Sequence, residues 1–253
     1  MLGRRETFLS LGALGFLTTE AQAGAAELKE AATKEGNVTW YVAQMDAAQA
    51  EAMGKAFTAE YPGITVSVIR STGQVAYQRL LLDFKNKTPQ CDVFSATDSS
   101  HMPILKEADR VSKYEVENFK DMLPQFAAAS VPGYYYTTVA SRYFMIYNNQ
   151  KVAAADAPKA WTDLLNPKWK GRVAFGHPAF SGCTGALVVA LRKLYGWEYF
   201  EKLAKNNPKI GRSAADPVTL IVASECLVGP ASAGGAYPSI DRGNPLTIVH
   251  PSD

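Results

Sequence analysis

Ser181, Gly182 and Thr184 are the first residues whose types and spacing suggest chemistry. They close a loop, His177–Gly182, that is rich in Pro, Ser and Gly. Ahead of the loop, Arg172–Gly176 reads as a buried strand. Behind it, Leu187, Leu191 and Leu194 form an i, i+4, i+7 stripe, which predicts a helix. A small-residue loop between strand and helix turns free N–H groups, and the positive end of the helix dipole, toward its open side. That is a place to hold an anion. The same hydroxyls also suit plain helix capping, and this stretch by itself leaves both uses open.

Other groups offer less. Asp98 and Asp216 could act as an acid/base pair only if the fold brings them together, and both suit helix starts. There is no G-x-S-x-G elbow, Walker A loop, H-E-x-x-H or dinucleotide fingerprint. His101, His177 and His250 are far apart and show no metal-ligand spacing. Cys91, Cys183 and Cys226 match no zinc or redox motif. Cys183 and Cys226 are the pair to test for a bridge, and three ordinary buried thiols are the simpler reading.

The elements that must position these residues alternate. Glu27–Glu35 reads as a helix stopped by Gly36. Val38–Ala43 and Ile64–Ile69 read as strands. Ala47–Tyr61 carries Met53, Phe57 and Tyr61 at four-residue spacing, and the helix opened by Ser71-Thr72-Gly73 carries Tyr77, Leu81 and Phe84. Asp92–Ala96 is a third strand, followed by Thr97-Asp98-Ser99-Ser100 and another helix. Residues 140–148 read as a long extended crossover between two domains. Then come helices at Trp197–Asn206 and from Asp216-Pro217, strands at Cys226–Gly229 and Leu246–His250, and a loop or helix at Gly234-Gly235-Ala236-Tyr237. Tyr134-Tyr135-Tyr136 reads as strand and packing material. Strands alternating with helices predict an α/β fold with mainly parallel sheets, helices on both faces, and ligands beyond the carboxyl ends of the strands.

A chain of 253 residues holds one large or two ordinary domains. A net charge of +2 gives no reason to expect nucleic acid. No apolar run reaches the roughly 18 residues of a membrane span. Residues 1–23 read as an export signal: Arg4 and Arg5, the short apolar run Phe8–Leu17, then Ala21-Gln22-Ala23 at a cleavage site. The paired arginines resemble a twin-arginine signal.

The chain resembles the extracellular solute-binding proteins of bacterial ABC importers, in the branch that binds ferric iron, thiamine, polyamines and phosphonates. The likeness covers about residues 36–253. It rests on Trp161-Thr162-Asp163-Leu164-Leu165, Pro167-Lys168-Trp169-Lys170-Gly171 and Ser181-Gly182-Cys183-Thr184-Gly185. Phe57–Val66, Asp92-Val93-Phe94 and Tyr147-Asn148 support it. The resemblance implies a two-lobed periplasmic-binding-protein fold of type II with an interlobe cleft. It places lobe one at about 24–141 and lobe two at about 142–253. The family's chain then returns to complete lobe one, so this sequence resembles a fragment without its C-terminal part.

The resemblance also implies a ligand set. Lobe one would supply Gln44, Thr72, Gly73, Asp98 and Ser99; lobe two would supply Ser181, Gly182, Thr184, Asp216 and Tyr237; Arg142 would lie on the crossover. It implies a monomer that needs no cofactor, captures a small solute in the periplasm and delivers it to inner-membrane permease subunits. An organic or phosphorus-containing anion is the expected solute. Ferric iron is the alternative, with Tyr237 as its ligand; many iron-binding relatives have two adjacent tyrosines there, and some have His in place of Gln44. A ligand-sensing receptor module would share these residues, and an enzyme on the same fold is the rival from another class.

Overall fold

A computed structural model describes residues 25–253, and the proposed export signal lies outside them. The first part of the chain is α1 (Ala25–Glu35), β1 (Asn37–Val42), α2 (Ala47–Glu60), β2 (Thr65–Arg70), α3 (Gly73–Asn86), β3 (Val93–Ser95) and α4 (His101–Glu107). The three strands form one parallel sheet in the order β2-β1-β3. Gly36 ends α1 at φ +74°, and its N–H donates to Ala32 O. It leads directly into β1.

The stripe on α2 does not face the sheet. Met53 is 54% exposed and Phe57 40%, while Ala50 and Gly54 are buried. A Cβ at Gly54 would lie 3.3 Å from Val66 and Val68, so the bare backbone of α2 is what lets β2 approach. Small residues, not the large apolar ones, mark the packed face here. On α3 the packed face is Ala76, Tyr77 and Leu80, with Leu81 exposed. Tyr41, Tyr77, Leu80 and Leu105 form this lobe's core.

A short helix, α5 (Pro124–Ala128), and an extended stretch lead to β4 (Tyr143–Asn148). Tyr134-Tyr135-Tyr136 is a bridged turn, not a strand: Val131 pairs with Tyr135, and Tyr136 Oη accepts from the Val116 and Gly133 amides. Beyond β4 come β5 (Ala174–Gly176), α6 (Gly182–Tyr195), α7 (Glu198–Lys205), β6 (Lys209–Gly211), α8 (Asp216–Val222), β7 (Val228–Ser232), α9 (Ala233–Asp241) and β8 (Leu246–Val249).

β4 is antiparallel to both neighbours, β7 and β8, whereas β5 and β6 are parallel. A parallel bridge between Val173 and Val228 sets β5 beside β7. This second sheet is therefore mixed, while the β2-β1-β3 sheet is parallel throughout, so the fold stays mainly parallel. No crossover helix feeds β4, and antiparallel neighbours require none. β4 is buried on both faces. Met145 and Tyr147 enter one core with Trp161, Trp169 and Leu191; Phe144 and Ile146 enter the other with Ile221 and Ala231. The alternation follows the period of two along a strand.

The stretch from Trp161 to Gly171 forms two 3₁₀ turns, Trp161–Leu165 and Pro167–Trp169. Asn206 binds them through its side-chain amide, which donates to Leu164 O and Asn166 O at 2.9 Å each. Gly171, at φ +68°, donates back to Asn206 O. Expected strand bounds shift: Arg172–Gly176 shortens to β5, and Cys226–Gly229 moves to β7. β6 has no counterpart in the sequence reading.

Enlarging Gly54 tests the packing of α2. Gly54→Leu overpacks the α2–β2 contact and should cost about 1–3 kcal/mol in denaturant unfolding. Met53→Gln, on the exposed face, should stay within about 0.5 kcal/mol. A larger loss at Met53 than at Gly54 would reverse the assignment of faces.

Candidate functional site

The two sheets meet through their loops. At the first turn of α6, a Cβ on Gly182 would lie 2.5 Å from the Thr97 carbonyl and the Asp98 nitrogen. A Cβ on Gly73, at the start of α3, would lie 2.5 Å from Thr97 Oγ1 and 3.9 Å from the Gly182 nitrogen. The N-termini of α3 and α6 and the β3–α4 loop thus converge across the seam. A further approach joins lobe-two loops: a Cβ on Gly176 would meet Thr184 Oγ1 at 2.7 Å and Ser213 O at 3.0 Å. Gly73, Asp98, Gly182 and Thr184 are brought together, with the loop before Asp216 beside them.

Ser181 caps α6. Its hydroxyl accepts from the Thr184 amide at 3.4 Å. The Gly182 and Cys183 amides belong to the first turn, which an α-helix leaves without internal acceptors. Thr72 behaves differently. It occupies the N-cap position of α3, yet its side chain makes no capping hydrogen bond, and its buried Oγ1 has no partner. Thr97 Oγ1 and Tyr143 Oη are also buried and unpartnered. Thr97 stands beside the Cys183 thiol and Tyr143 beside the Thr184 hydroxyl, and neither pair closes a well-formed hydrogen bond. Burial pushes the Tyr143 phenol up to about 12. Thr97 and Tyr143 were missed from sequence. Their only signal was adjacency to Asp98 and Arg142.

The remaining expected residues are spread around the seam. Gln44 is half-buried, and its side-chain oxygen accepts from the Ala43 amide at 3.3 Å. Ser99 is exposed. Arg142 is exposed, and its carbonyl accepts from the Ala233 amide, which places it at the start of α9. Tyr237 lies on α9, 49% exposed, with its ring edge-on to Phe144 at 5.7 Å. Neither aspartate is an N-cap. Asp216 is the first residue of α8, and its carboxylate accepts from the Ser213 amide and hydroxyl at 3.0 and 2.6 Å. Asp98 precedes the N-cap Ser100 by two residues and accepts from its amide and hydroxyl at 3.0 and 2.7 Å. No hydrogen bond among the described residues joins Asp98 to Asp216.

Gln74 extends the Asp98 network. Its Nε2 donates to Asp98 Oδ2 at 3.0 Å, and its Oε1 lies 3.1 Å from His101 Nε2. Burial pushes the Asp98 carboxyl up, but hydrogen bonds from Ser100, the nearby His101 and Gln74 together hold it below its ordinary value. Burial pushes the His101 imidazole down, and Asp98 opposes this only in part. His101 is enclosed by Gln74, Tyr77, Phe94 and Asp98. Cys91, Cys183 and Cys226 are all free thiols. No group of three His, Cys, Asp or Glu is placed to hold a metal among the described residues.

Two cavities lie away from the seam. One, about 270 Å³, is between α3 and α4 and lined by Tyr77, Phe84 and Ile104. The other, about 330 Å³, runs along β6 and α8 from Lys209 to Leu220. Neither gathers the converging helix starts.

Two α/β lobes thus meet over helix N-termini. Residues 40–252 match the model of the bacterial extracellular solute-binding proteins, and the chain belongs to that family. A provisionally named 2-aminoethylphosphonate-binding periplasmic protein of Salmonella paratyphi A is 28% identical over 188 residues, which is 72% of this chain and 48% of that protein. The chain thus spans about half the length of that relative. Among solved structures, the periplasmic binding protein AfuA of Actinobacillus pleuropneumoniae, with fructose-6-phosphate bound, superposes with a TM-score of 0.76 at 23% identity. The match covers 86% of this chain and 70% of that one. Iron-bound HitA of Pseudomonas aeruginosa superposes at 0.67 and 22% identity, covering 84% and 69%. These two likenesses establish the type II two-lobed fold.

Two outcomes follow from the site. Gly182→Ala should force the seam apart, raising the radius of gyration in solution scattering while leaving far-UV circular dichroism unchanged; an unchanged radius would mean that the seam yields locally. The second concerns pH. The fold lowers the His101 pKa from its ordinary 6.5, so the unfolded chain binds the proton more readily. That part of the stability is complete above about 6.5 and is lost as pH falls through the folded value. Asp98 adds a loss in the same direction below its ordinary 3.8. Melting temperatures should therefore fall on acidification from pH 7 to 5, and less steeply in His101→Gln.

Proposed function

We propose that this chain is the solute-binding part of an ABC importer and that it takes a small organic or phosphorus-containing anion in the interlobe cleft. The observation that carries this is Thr72: a residue at an N-cap whose hydroxyl does not cap, buried and without a partner, beside the uncapped first turn of a 14-residue helix. A buried hydroxyl without a partner costs about 1–3 kcal/mol. A ligand oxygen offers it, and the adjacent amides, something to bind. Thr97 and Tyr143 add two more such hydroxyls, and α6 adds a second helix N-terminus. Each dipole contributes about 0.3–1 kcal/mol toward a negative group. Relatives named for aminoethylphosphonate and solved with a sugar phosphate fit this reading.

The remaining ligand contacts are Gln44, Gly73, Asp98, Ser99, Arg142, Ser181, Gly182, Thr184, Asp216 and Tyr237. Arg142 supplies an exposed cation at the cleft rim. Lobe one comprises residues 24–141 and lobe two residues 142–253. Residues 1–23 direct export to the periplasm by the twin-arginine route. The mature protein acts as a monomer, binds without turnover, engages no nucleic acid and hands its solute to permease subunits.

A thermal-shift screen tests the reading, with 2-aminoethylphosphonate, fructose 6-phosphate, inorganic phosphate, carboxylates and ferric citrate. A ligand at 100 times its Kd should add roughly 2.7 kcal/mol of stability. A shift with ferric citrate alone would overturn the anion assignment in favour of iron. Thr72→Val then separates site from scaffold. It removes a hydroxyl that has no partner, so the unliganded melting temperature should hold or rise, while anion affinity falls about tenfold. A drop in melting temperature with unchanged affinity would make Thr72 structural.

A further inference from the structure

His101 is 3% exposed and lies directly behind the β3–α4 loop. Its ring stacks flat on Tyr77, centroids 3.8 Å apart at 7°, with Phe94 tilted against it at 6.4 Å. A phenylalanine would satisfy that packing. The imidazole does something more. Because Gln74 Nε2 donates to Asp98 Oδ2, Gln74 Oε1 is the acceptor that faces His101. His101 Nε2 therefore carries the proton and donates to it, and Nδ1 is left as a buried nitrogen without a partner. At 3.7 Å, Asp98 Oδ2 is too far from Nε2 to replace Gln74 as its acceptor.

The donors converge on the Asp98 carboxylate from both sides. His101 fixes the Gln74 amide, the amide fixes Asp98 Oδ2, and Asp98 Oδ1 holds the Ser100 amide and hydroxyl. The loop so held is the one whose Thr97–Asp98 peptide meets Gly182 across the seam. Gln74 itself lies in the first turn of α3, beside Gly73. One buried ring thus ties together the two lobe-one segments that face the ligand.

We infer that His101 is a positioning residue of the ligand cleft, acting through Gln74 and Asp98 on the β3–α4 loop and the start of α3. The inference rests on the cleft being the binding site. His101 touches no ligand in this scheme. It sets the orientation of the Gln74 amide, and through it the backbone that the opposite lobe and the ligand meet.

The test uses His101→Phe, which keeps the ring stack, and His101→Gln, whose side-chain amide can still donate to Gln74. Hydrogen exchange at the Ser99, Ser100 and His101 amides is read without ligand. Titration with 2-aminoethylphosphonate and fructose 6-phosphate is read alongside. His101→Phe should speed exchange at Ser100 about tenfold and weaken the bound probe by a similar factor, and His101→Gln should restore both. Gln74→Met leaves the His101 stack in place and should reproduce the Phe phenotype, which keeps the inference testable if His101→Phe fails to fold. Unchanged exchange in both His101→Phe and Gln74→Met would overturn it. So would altered exchange with unchanged probe affinity, which would confine the network to local structure. If the wild-type protein binds neither probe, the anion reading falls separately, and the exchange data still decide whether His101 orders the loop.

Discussion

The first turn of α6 meets the Thr97–Asp98 peptide backbone to backbone, and that approach requires residue 182 to have no Cβ. Most of the site depends on this contact. It brings an uncapped pair of amides from one lobe against the loop that follows β3 in the other. Gly73 and Gly176 permit two further close approaches in the same region. With small residues at these positions the approaching groups are peptide dipoles and hydroxyls rather than bulky side chains. Such a surface offers a small polar ligand directed hydrogen bonds rather than bulk. Its charge preference comes from the helix ends, because the nearby carboxylates of Asp98 and Asp216 are already occupied by Ser100 and Ser213.

That occupation changes how the two aspartates act electrostatically. A bare carboxylate beside a helix N-terminus would compete with an incoming anion. Asp98 is instead held by two bonds from Ser100 and one from Gln74, and its charge is spread over fixed donors. Asp216 accepts two bonds within its own turn. The hydroxyls of Thr72, Thr97 and Tyr143 have no such arrangement. In a dry interior an unsatisfied hydroxyl is costly, and proteins seldom keep several close to one seam without a compensating partner. The contrast between satisfied carboxylates and unsatisfied hydroxyls favours a ligand rich in acceptor oxygens over an amine.

Much of the fold was legible because its signals are local. Val38–Ala43, Ile64–Ile69 and Leu246–His250 announce strands through β-branched residues, and each lies within a residue or two of β1, β2 and β8. Ser181 was legible as a cap because the apolar stripe begins just behind it. The facing of α2 was not legible. Met53 and Phe57 form the more conspicuous stripe, but the β2 valines leave room only for Ala50 and Gly54. β6 was invisible at three residues, since Lys209-Ile210-Gly211 has no periodicity to read. The direction of β4 was hidden for another reason: its burial on both faces gives the same apolar run whichever way the neighbours point.

The convergence at the seam was legible in position and not in chemistry. Gly73, Gly182 and Thr184 could be placed because glycine and hydroxyl residues at strand-to-helix turns mark where a helix begins. Which hydroxyls are satisfied depends on tertiary contacts that no spacing encodes. Thr72 and Ser181 look alike in sequence, each standing just before a glycine that opens a helix. Ser181 spends its oxygen on the Thr184 amide, while Thr72 keeps its own unpaired. Conversely, the stretch that most clearly carries the family likeness, Trp161 to Gly171, is scaffold: Trp161, Leu164 and Trp169 are buried, and Asn206 holds the turns. The residues that identify the fold and the residues that would choose the solute are therefore different sets. Under the proposed function, a change of ligand within this architecture would act on the few hydroxyl and glycine positions at the seam, with the Trp-rich turns left as they are.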